Sequence, residues 1–257
     1  MRDHGLQEAI RAVGGVDELA QRIGVSQSSL CDWECIPDER VLSVESATGV
    51  TRTVLRPDLF SEEVDRYVDE VDAARAQEYA LLATLLSRSP DADLLSRLRQ
   101  LRGDPSPLGV AHAALAEAAA RTDVERVGRE YFDLFIGLAR GELLPYASYY
   151  LTGFLHERPL ARLRGDLKQL GIQQAEDQSE PEDHAAILCE IMANLAGGKI
   201  EAPRDADREI FEKHMAPWIG RFFGDLERSP TASFYARVGA LGRTFIEIEN
   251  EAFALPV

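Results

Sequence analysis

The sequence predicts an all-α protein, and three observations carry the prediction. Apolar residues recur at helical spacing almost throughout the chain. No sustained apolar/polar alternation occurs, and no Asn-Gly or Asp-Gly pair sits between β-branched runs, as a tight hairpin would require. Neither an internal repeat nor a low-complexity tract is present, which sets aside solenoids and disordered linkers.

The elements follow in order. The first sixty residues read as short helices punctuated by Gly14-Gly15, Gly24, Pro37, Gly49 and Pro57, with Ser26 and Asp38 as N-cap candidates. From Glu62 to Ser87 a long stretch free of Gly and Pro carries Val64, Tyr67, Val68, Val71, Tyr79, Leu82 and Leu86 at helical spacing, and its first part serves as a connector. Further helices are predicted at about 91–102, 107–121, 123–138, 152–170, 182–196, 204–224 and 231–253, a multi-helix bundle. The domain boundaries expected are 1–60, a helical connector over 61–77, and 78–257. Two loops, Gly137 to Tyr150 and Gln173 to Pro181, combine helix breakers with residues able to contact a ligand.

Bulk properties narrow the function. At 257 residues and 45% apolar content the chain can bury one or two cores. With 28 basic against 44 acidic residues, the net charge of −16 disfavours nonspecific attraction to nucleic-acid phosphates or anionic lipid and favours a basic partner. The start of the chain mixes Arg2, Asp3, His4, Gln7 and Glu8, unlike an export leader. The most apolar later stretch, Ala185 to Ala196, is interrupted by Glu190 and Asn194 and is shorter than the roughly 20 residues of a spanning helix. A cytoplasmic protein with no membrane insertion is expected. Cys31, Cys35 and Cys189 form no disulfide framework; the first two are spaced i, i+4, but no second ligand pair lies nearby to close a zinc site. The common phosphate-loop, dinucleotide, zinc-protease and nucleophile-elbow signatures are absent, so an enzyme is not expected.

Gly15 to Leu30 reads as helix, Gly-containing turn and second helix, with Leu19, Ala20, Ile23, Val25 and Leu30 facing inward. Through Trp33-Glu34, Ile36-Pro37, Glu39 to Leu42, Val44-Glu45, Thr48 to Val50 and Leu55 to Leu59, this unit resembles the Cro-like, YdaS-type helix-turn-helix family. The resemblance implies that Gln27, Ser28 and Ser29 would face base edges and Arg40 would approach phosphate. Yet the unit carries six basic and ten acidic residues, net −4, and Asp32 and Glu34 adjoin the recognition helix. With so little phosphate neutralisation, DNA binding would be weak unless dimerisation supports it; protein docking or dimerisation is the alternative use of the fold.

Four patterns occur in fixed order in the second domain: Glu130-Tyr131-Phe132-Asp133-Leu134-Phe135-Ile136-Gly137; Leu144-Pro145-Tyr146-Ala147-Ser148-Tyr149-Tyr150; Glu180-Pro181-Glu182-Asp183-His184; and Phe211 to Trp218 with Phe222-Phe223, Leu226, Ser233-Phe234-Tyr235 and Leu241. In the third, Pro181 near the first helical position and three carboxylates in the first turn would suit a helix N-terminus. Together these resemble the TorD/DmsD/NarJ family of molybdoenzyme maturation chaperones from about Glu78 to Phe253, that is, a TorD-like multi-helix bundle behind a small helix-turn-helix domain.

That resemblance implies binding of a twin-arginine leader peptide, and of the apo-molybdoenzyme that carries it, before cofactor insertion and export. Its leader-binding surface would comprise Tyr131, Leu134, Phe135, Pro145, Tyr146, Asp183 and His184. A carboxylate takes guanidinium bidentately and an aromatic groove takes an apolar helix, so Asp183 is the expected guanidinium contact and Tyr131, Phe135 and Tyr146 the floor. Tyrosine stands at Tyr131 and Tyr146 where the family often has tryptophan. The alternative for Asp183-His184 is capping chemistry with a buried His184, while Phe211, Trp218, Phe222 and Phe223 read as core. No cofactor is expected; some family members are associated with guanine nucleotides, but no phosphate cradle is recognisable. The alternative function is a transcription regulator whose helical domain senses a client. A formate dehydrogenase is the first client to consider, and monomer and homodimer both remain open.

Overall fold

A computed structural model describes residues 3–31, 33–56, 70–173, 180–203 and 205–254, apart from the side chains of Ser28, Cys31, Glu39 and Thr53. The chain divides into two compact units, Met1–Tyr67 and Val68–Val257. Both are helical, and among the described residues the nearest thing to sheet is one isolated antiparallel bridge, Tyr146 with His184. The expected 61–77 connector falls largely outside the described residues; helix is described there from Glu70 onward.

In the first unit α1 (His4–Val13) starts at Asp3, whose carboxylate accepts the Leu6 N–H at 2.9 Å. Helices α2 (Val16–Ile23) and α3 (Gln27–Cys31) are joined through Gly24, whose φ of 71° supplies the left-handed turn between them. Ser26 caps α3, its hydroxyl accepting the Ser29 N–H at 3.1 Å, as expected from the sequence. Asp38 caps nothing. It opens a 3₁₀ turn, Asp38–Arg40, and its carboxylate takes the Arg56 guanidinium at 2.9 Å because that long side chain folds back over Ile36. Helices α4 (Val41–Thr48) and α5 (Arg52–Leu55) close a small core of Leu6, Leu19, Leu30, Ile36, Val44 and Leu55.

The second unit runs α6 (Glu70–Ser87), α7 (Ala92–Leu98), α8 (Pro107–Arg121), α9 (Val124–Tyr131), α10 (Ala147–Thr152), α11 (Arg158–Gln169), α12 (Ala185–Ala196), α13 (Ala206–Ile210), α14 (Ile219–Arg228) and α15 (Phe234–Ala254). Asp91, Ser106 and Asp123 cap α7, α8 and α9 through side-chain oxygens 2.8, 3.0 and 2.9 Å from main-chain N–H groups. Two helices change register: α9 continues as a π-turn over Phe132–Ile136 and α13 as another over Phe211–Met215.

Packing follows from the apolar faces. Helix α6 lies on α12, α8 lies on α15, and α14 pairs with α15. Gly239 permits the last approach, since a Cβ there would stand 2.4 Å from the Glu227 nitrogen. Phe211, Trp218, Phe222 and Phe223 are buried with Tyr79, Phe234 and Tyr235 as the aromatic centre of the core. An ionic clip fastens α6 to the C-terminal helix: Arg75 donates to both oxygens of the buried Glu249 at 2.8 and 2.9 Å, and Tyr79 donates to the same carboxylate at 2.8 Å. Burial of the pair is tolerable because each charge is neutralised and hydrogen-bonded. Among the described residues no helix is long and apolar enough to cross a membrane.

Candidate functional site

The site begins where α9 changes register. In the π-turn the Gly137 N–H donates to the Phe132 carbonyl at 2.7 Å, five residues back. The carbonyls of Asp133 and Leu134 accept N–H groups from the following loop, Glu142 at 3.2 Å and Leu143 at 2.8 Å, so the loop is pinned to the helix end. Gly137 sits at φ 62°, and a Cβ there would lie 2.2 Å from the Arg140 carbonyl oxygen, which makes glycine a geometric requirement. This turn leaves Tyr131 and Phe135 half-buried with ring centroids 5.1 Å apart. Phe135 stands edge-on to Tyr235 at 5.4 Å, and Tyr131 donates to the Leu86 carbonyl at 3.2 Å.

The two loops meet beside this cluster. Ala147 N–H donates to the Asp183 carbonyl at 3.0 Å and Ala185 N–H to the Pro145 carbonyl at 2.8 Å, producing the Tyr146–His184 bridge. Across it the Tyr146 ring stands edge-on to His184 at 4.9 Å, and the Tyr146 hydroxyl donates to Glu180 at 2.5 Å. Burial, reinforced by the Glu180 carboxylate, raises the Tyr146 phenol well above its ordinary range and pushes Tyr131 up to about 12. Both rings therefore present neutral hydroxyls.

Asp183 and His184 each cap a helix. Asp183 is 1% exposed and its Oδ2 accepts the Ser148 N–H at 2.8 Å, capping α10 from across the bridge. Its Oδ1 and the Ser148 hydroxyl are buried with no hydrogen-bond partner among the described residues. His184 is the N-cap of α12, with Nδ1 accepting the Ala186 N–H at 3.1 Å. That role requires a neutral ring, and burial pulls the imidazole down to about 4 against the opposing charges of Glu180 and Asp183.

The structure thus brings Tyr131, Phe135, Tyr146, Asp183 and His184 into one neighbourhood, with differences from expectation. The third pattern does not open a helix at Pro181: Pro181 to His184 is a turn and α12 starts at Ala185, so the three carboxylates precede the helix. The backbone of 183–185 is held by the tyrosine loop, which delays helix entry. Leu134 and Pro145 are buried, Leu134 in the main core, so they support the surface without lining it. Asp183 faces inward, whereas Glu180 is the exposed carboxylate beside the tyrosines. Sequence reasoning passed over Glu180 although it heads the same pattern; its spacing from Asp183 across a proline turn is the signal that pointed to it. Of the other tyrosines, Tyr150 packs on Trp218 at 5.4 Å and donates to Asp225 at 3.1 Å. From the first turn of α12 a groove of about 490 Å³ runs between α6 and α12, lined by Ala76, Ala80, Ala83, Ala186, Ile187 and Ala193.

In the first unit Gln27, Ser29 and Arg40 are exposed, with the Ser26 and Ser29 hydroxyls 2.7 Å apart; the Ser28 side chain lies outside the described part. Among the described residues no group of His, Cys, Asp and Glu could hold a metal ion.

Comparison with known proteins agrees with this division. Residues 102–224 match the family model described as nitrate reductase delta subunit, and residues 6–64 match that of bacterial toxin YdaS. The chain is similar to the chaperone protein TorD of Vibrio cholerae, 27% identical over 192 residues that cover 70% of this chain and 82% of that protein. It is also 27% identical to the chaperone protein TorD of Aliivibrio fischeri over 203 residues, 70% of this chain and 94% of that one. A TorD chaperone of Vibrio vulnificus is 34% identical over 120 residues, 42% and 56% of the two chains.

Proposed function

We propose, from the match of residues 102–224 to the nitrate reductase delta subunit model, of residues 6–64 to the YdaS model and from the similarity to TorD chaperones, that this chain is a cytoplasmic chaperone for a molybdenum-cofactor oxidoreductase. It is a binding protein, not an enzyme, and it needs no cofactor of its own. Its client is an apo-molybdoenzyme, with a formate dehydrogenase the first to test, held through a twin-arginine leader until the cofactor is loaded.

The observation that carries this reading is the half-buried cluster of Tyr131, Phe135 and Tyr146 beside the exposed Glu180. An aromatic surface with neutral hydroxyls suits the apolar part of a leader, and a carboxylate at its edge suits guanidinium. Glu180 makes the first contact. Asp183, with an unpartnered Oδ1, takes the second when the Tyr146–His184 bridge parts. The alanine-lined groove along α12 offers room for a helical continuation.

Calorimetric titration of a synthetic twin-arginine leader tests the site. Glu180→Gln should weaken binding by about tenfold, the worth of one charge-assisted contact, and Tyr146→Ala by about tenfold through lost aromatic burial. Asp183→Asn keeps an acceptor for Ser148 while removing the charge, so it isolates the guanidinium contact from the cap. Equal affinities for the wild type, Glu180→Gln and Asp183→Asn would remove the acidic residues from the site.

A second reading is favoured by one observation, the exposure of Gln27, Ser29 and Arg40 on the helix-turn-helix unit. In it the same chain binds an operator and reports on an unloaded client. A mobility-shift assay at moderate salt that shows no sequence-dependent retardation would eliminate it.

A further inference from the structure

Among the described residues, five of the ten exposed large apolar side chains of the second unit fall within residues 136–155, the others being Val71, Val110, Val124, Phe132 and Ile248. Leu138 is 100% exposed, Phe154 69%, Ile136 53%, Leu151 41% and Leu155 40%. Every residue from Leu151 to Arg158 is exposed, and His156, at φ 60°, is the one non-glycine residue with a positive φ among those described. Strain of this kind persists only where the surrounding chain enforces it, and it gathers at functional segments. The parts are held together: Arg140 stacks over Tyr149 at 5.9 Å, the Thr152 hydroxyl accepts the Phe154 N–H at 3.2 Å, and α10 packs on α11.

The charges around these tips are the reverse of those of the whole protein. Arg140, Arg158 and Arg162 are exposed, and none forms an ion pair among the described residues. Arg158 and Arg162 share one face of α11, one turn apart, with the exposed Lys168 farther along the helix. Glu157 precedes Arg158 and the exposed Asp133 precedes Ile136; Asp166, between Arg162 and Lys168, is engaged by His214 at 2.7 Å and Glu142 by the Ser229 hydroxyl at 2.7 Å. Net charge acts over distance, but screening limits it to about 8 Å at physiological salt, so a local basic face can act independently of the overall −16.

We propose that this face docks the protein on an anionic lipid bilayer, with Leu138, Phe154 and Leu155 entering the interface and Arg140, Arg158 and Arg162 at the headgroups. The apolar residues here are projecting tips, not the walls of a groove, and they are flanked by guanidiniums that can snorkel to phosphate. A planar interface accepts that arrangement without a complementary pocket.

Flotation of the full chain with vesicles of phosphatidylcholine alone, or mixed with phosphatidylglycerol, is the test. Binding to the anionic vesicles is expected, weakening with salt. Arg158→Ala combined with Arg162→Ala should lower the partition coefficient about 25-fold, at about fivefold per basic residue near such a surface. Leu138→Ser combined with Phe154→Ser should abolish binding. All four side chains are exposed, so circular dichroism and Tm should not change. No flotation, equal flotation with both vesicle types, or indifference to these substitutions would overturn the proposal. Capture of an acidic amphipathic peptide by the same residues, without vesicle binding, would replace lipid with protein.

Discussion

His184 holds the first turn of α12 only while its Nδ1 carries a lone pair. Its folded pKa, depressed by burial to about 4, lies below the ordinary imidazole value, so between the two the unfolded chain binds a proton that the folded chain does not. The stabilisation is complete above pH ~6.5 and is lost as the pH falls toward about 4, a change on the order of 3 kcal/mol. Urea midpoints at neutral and mildly acidic pH should reveal this slope, and His184→Asn, which keeps an N-cap acceptor, should flatten it. An unaltered slope in that variant would assign the acid sensitivity elsewhere. At this scale the sequence is legible in residue type but not in direction. The pair at 183 and 184 reads equally as guanidinium receptor and as capping chemistry, and only the cross-loop hydrogen bond to Ser148 shows that Asp183 serves a different helix from its neighbour.

Helix existence follows from spacing, and α8 begins and ends where its Pro107 and the apolar period predict. The differences lie where distant parts of the chain decide. Residues 182–184 would open a helix on local propensity, but the Pro181–His184 turn and pairing with the tyrosine loop keep them out of the helix until Ala185. The two π-turns are invisible to a 3.6-residue period because one extra residue is absorbed without any breaker in the sequence. Both fall inside patterns by which the chain resembles its relatives, which places Phe135 toward the aromatic cluster and His214 against Asp166 at 2.7 Å. Close approach is a further property that spacing hides. Gly239 lies where α14 and α15 touch main chain to main chain, so Gly239→Ala should force the hairpin apart and cost about 1–3 kcal/mol by thermal or urea denaturation. A neutral result would mean that the two helices can slide without loss.

At the level of the molecule, charge is read directly from composition. A net −16 should draw in a basic leader, so its association rate, measured by stopped-flow, should fall steeply with ionic strength while the dissociation rate changes little. A salt-independent association rate would separate recognition from the overall field. Composition does not reveal that arginines without carboxylate partners gather on one face, because that depends on how α10, α11 and their loops fold. One carboxylate gives the fold an internal lever. Glu130, next to Tyr131 on α9, accepts the N–H groups of Ser233 and Tyr235 at 2.7 Å and of Phe234 at 3.2 Å, and so stoppers the start of the 21-residue α15. A guest that wedges Tyr131 away from Tyr235 must tug this cork. Its arrival would be felt as quickened deuterium uptake at 233–235, and through α15 the news would travel the length of the bundle.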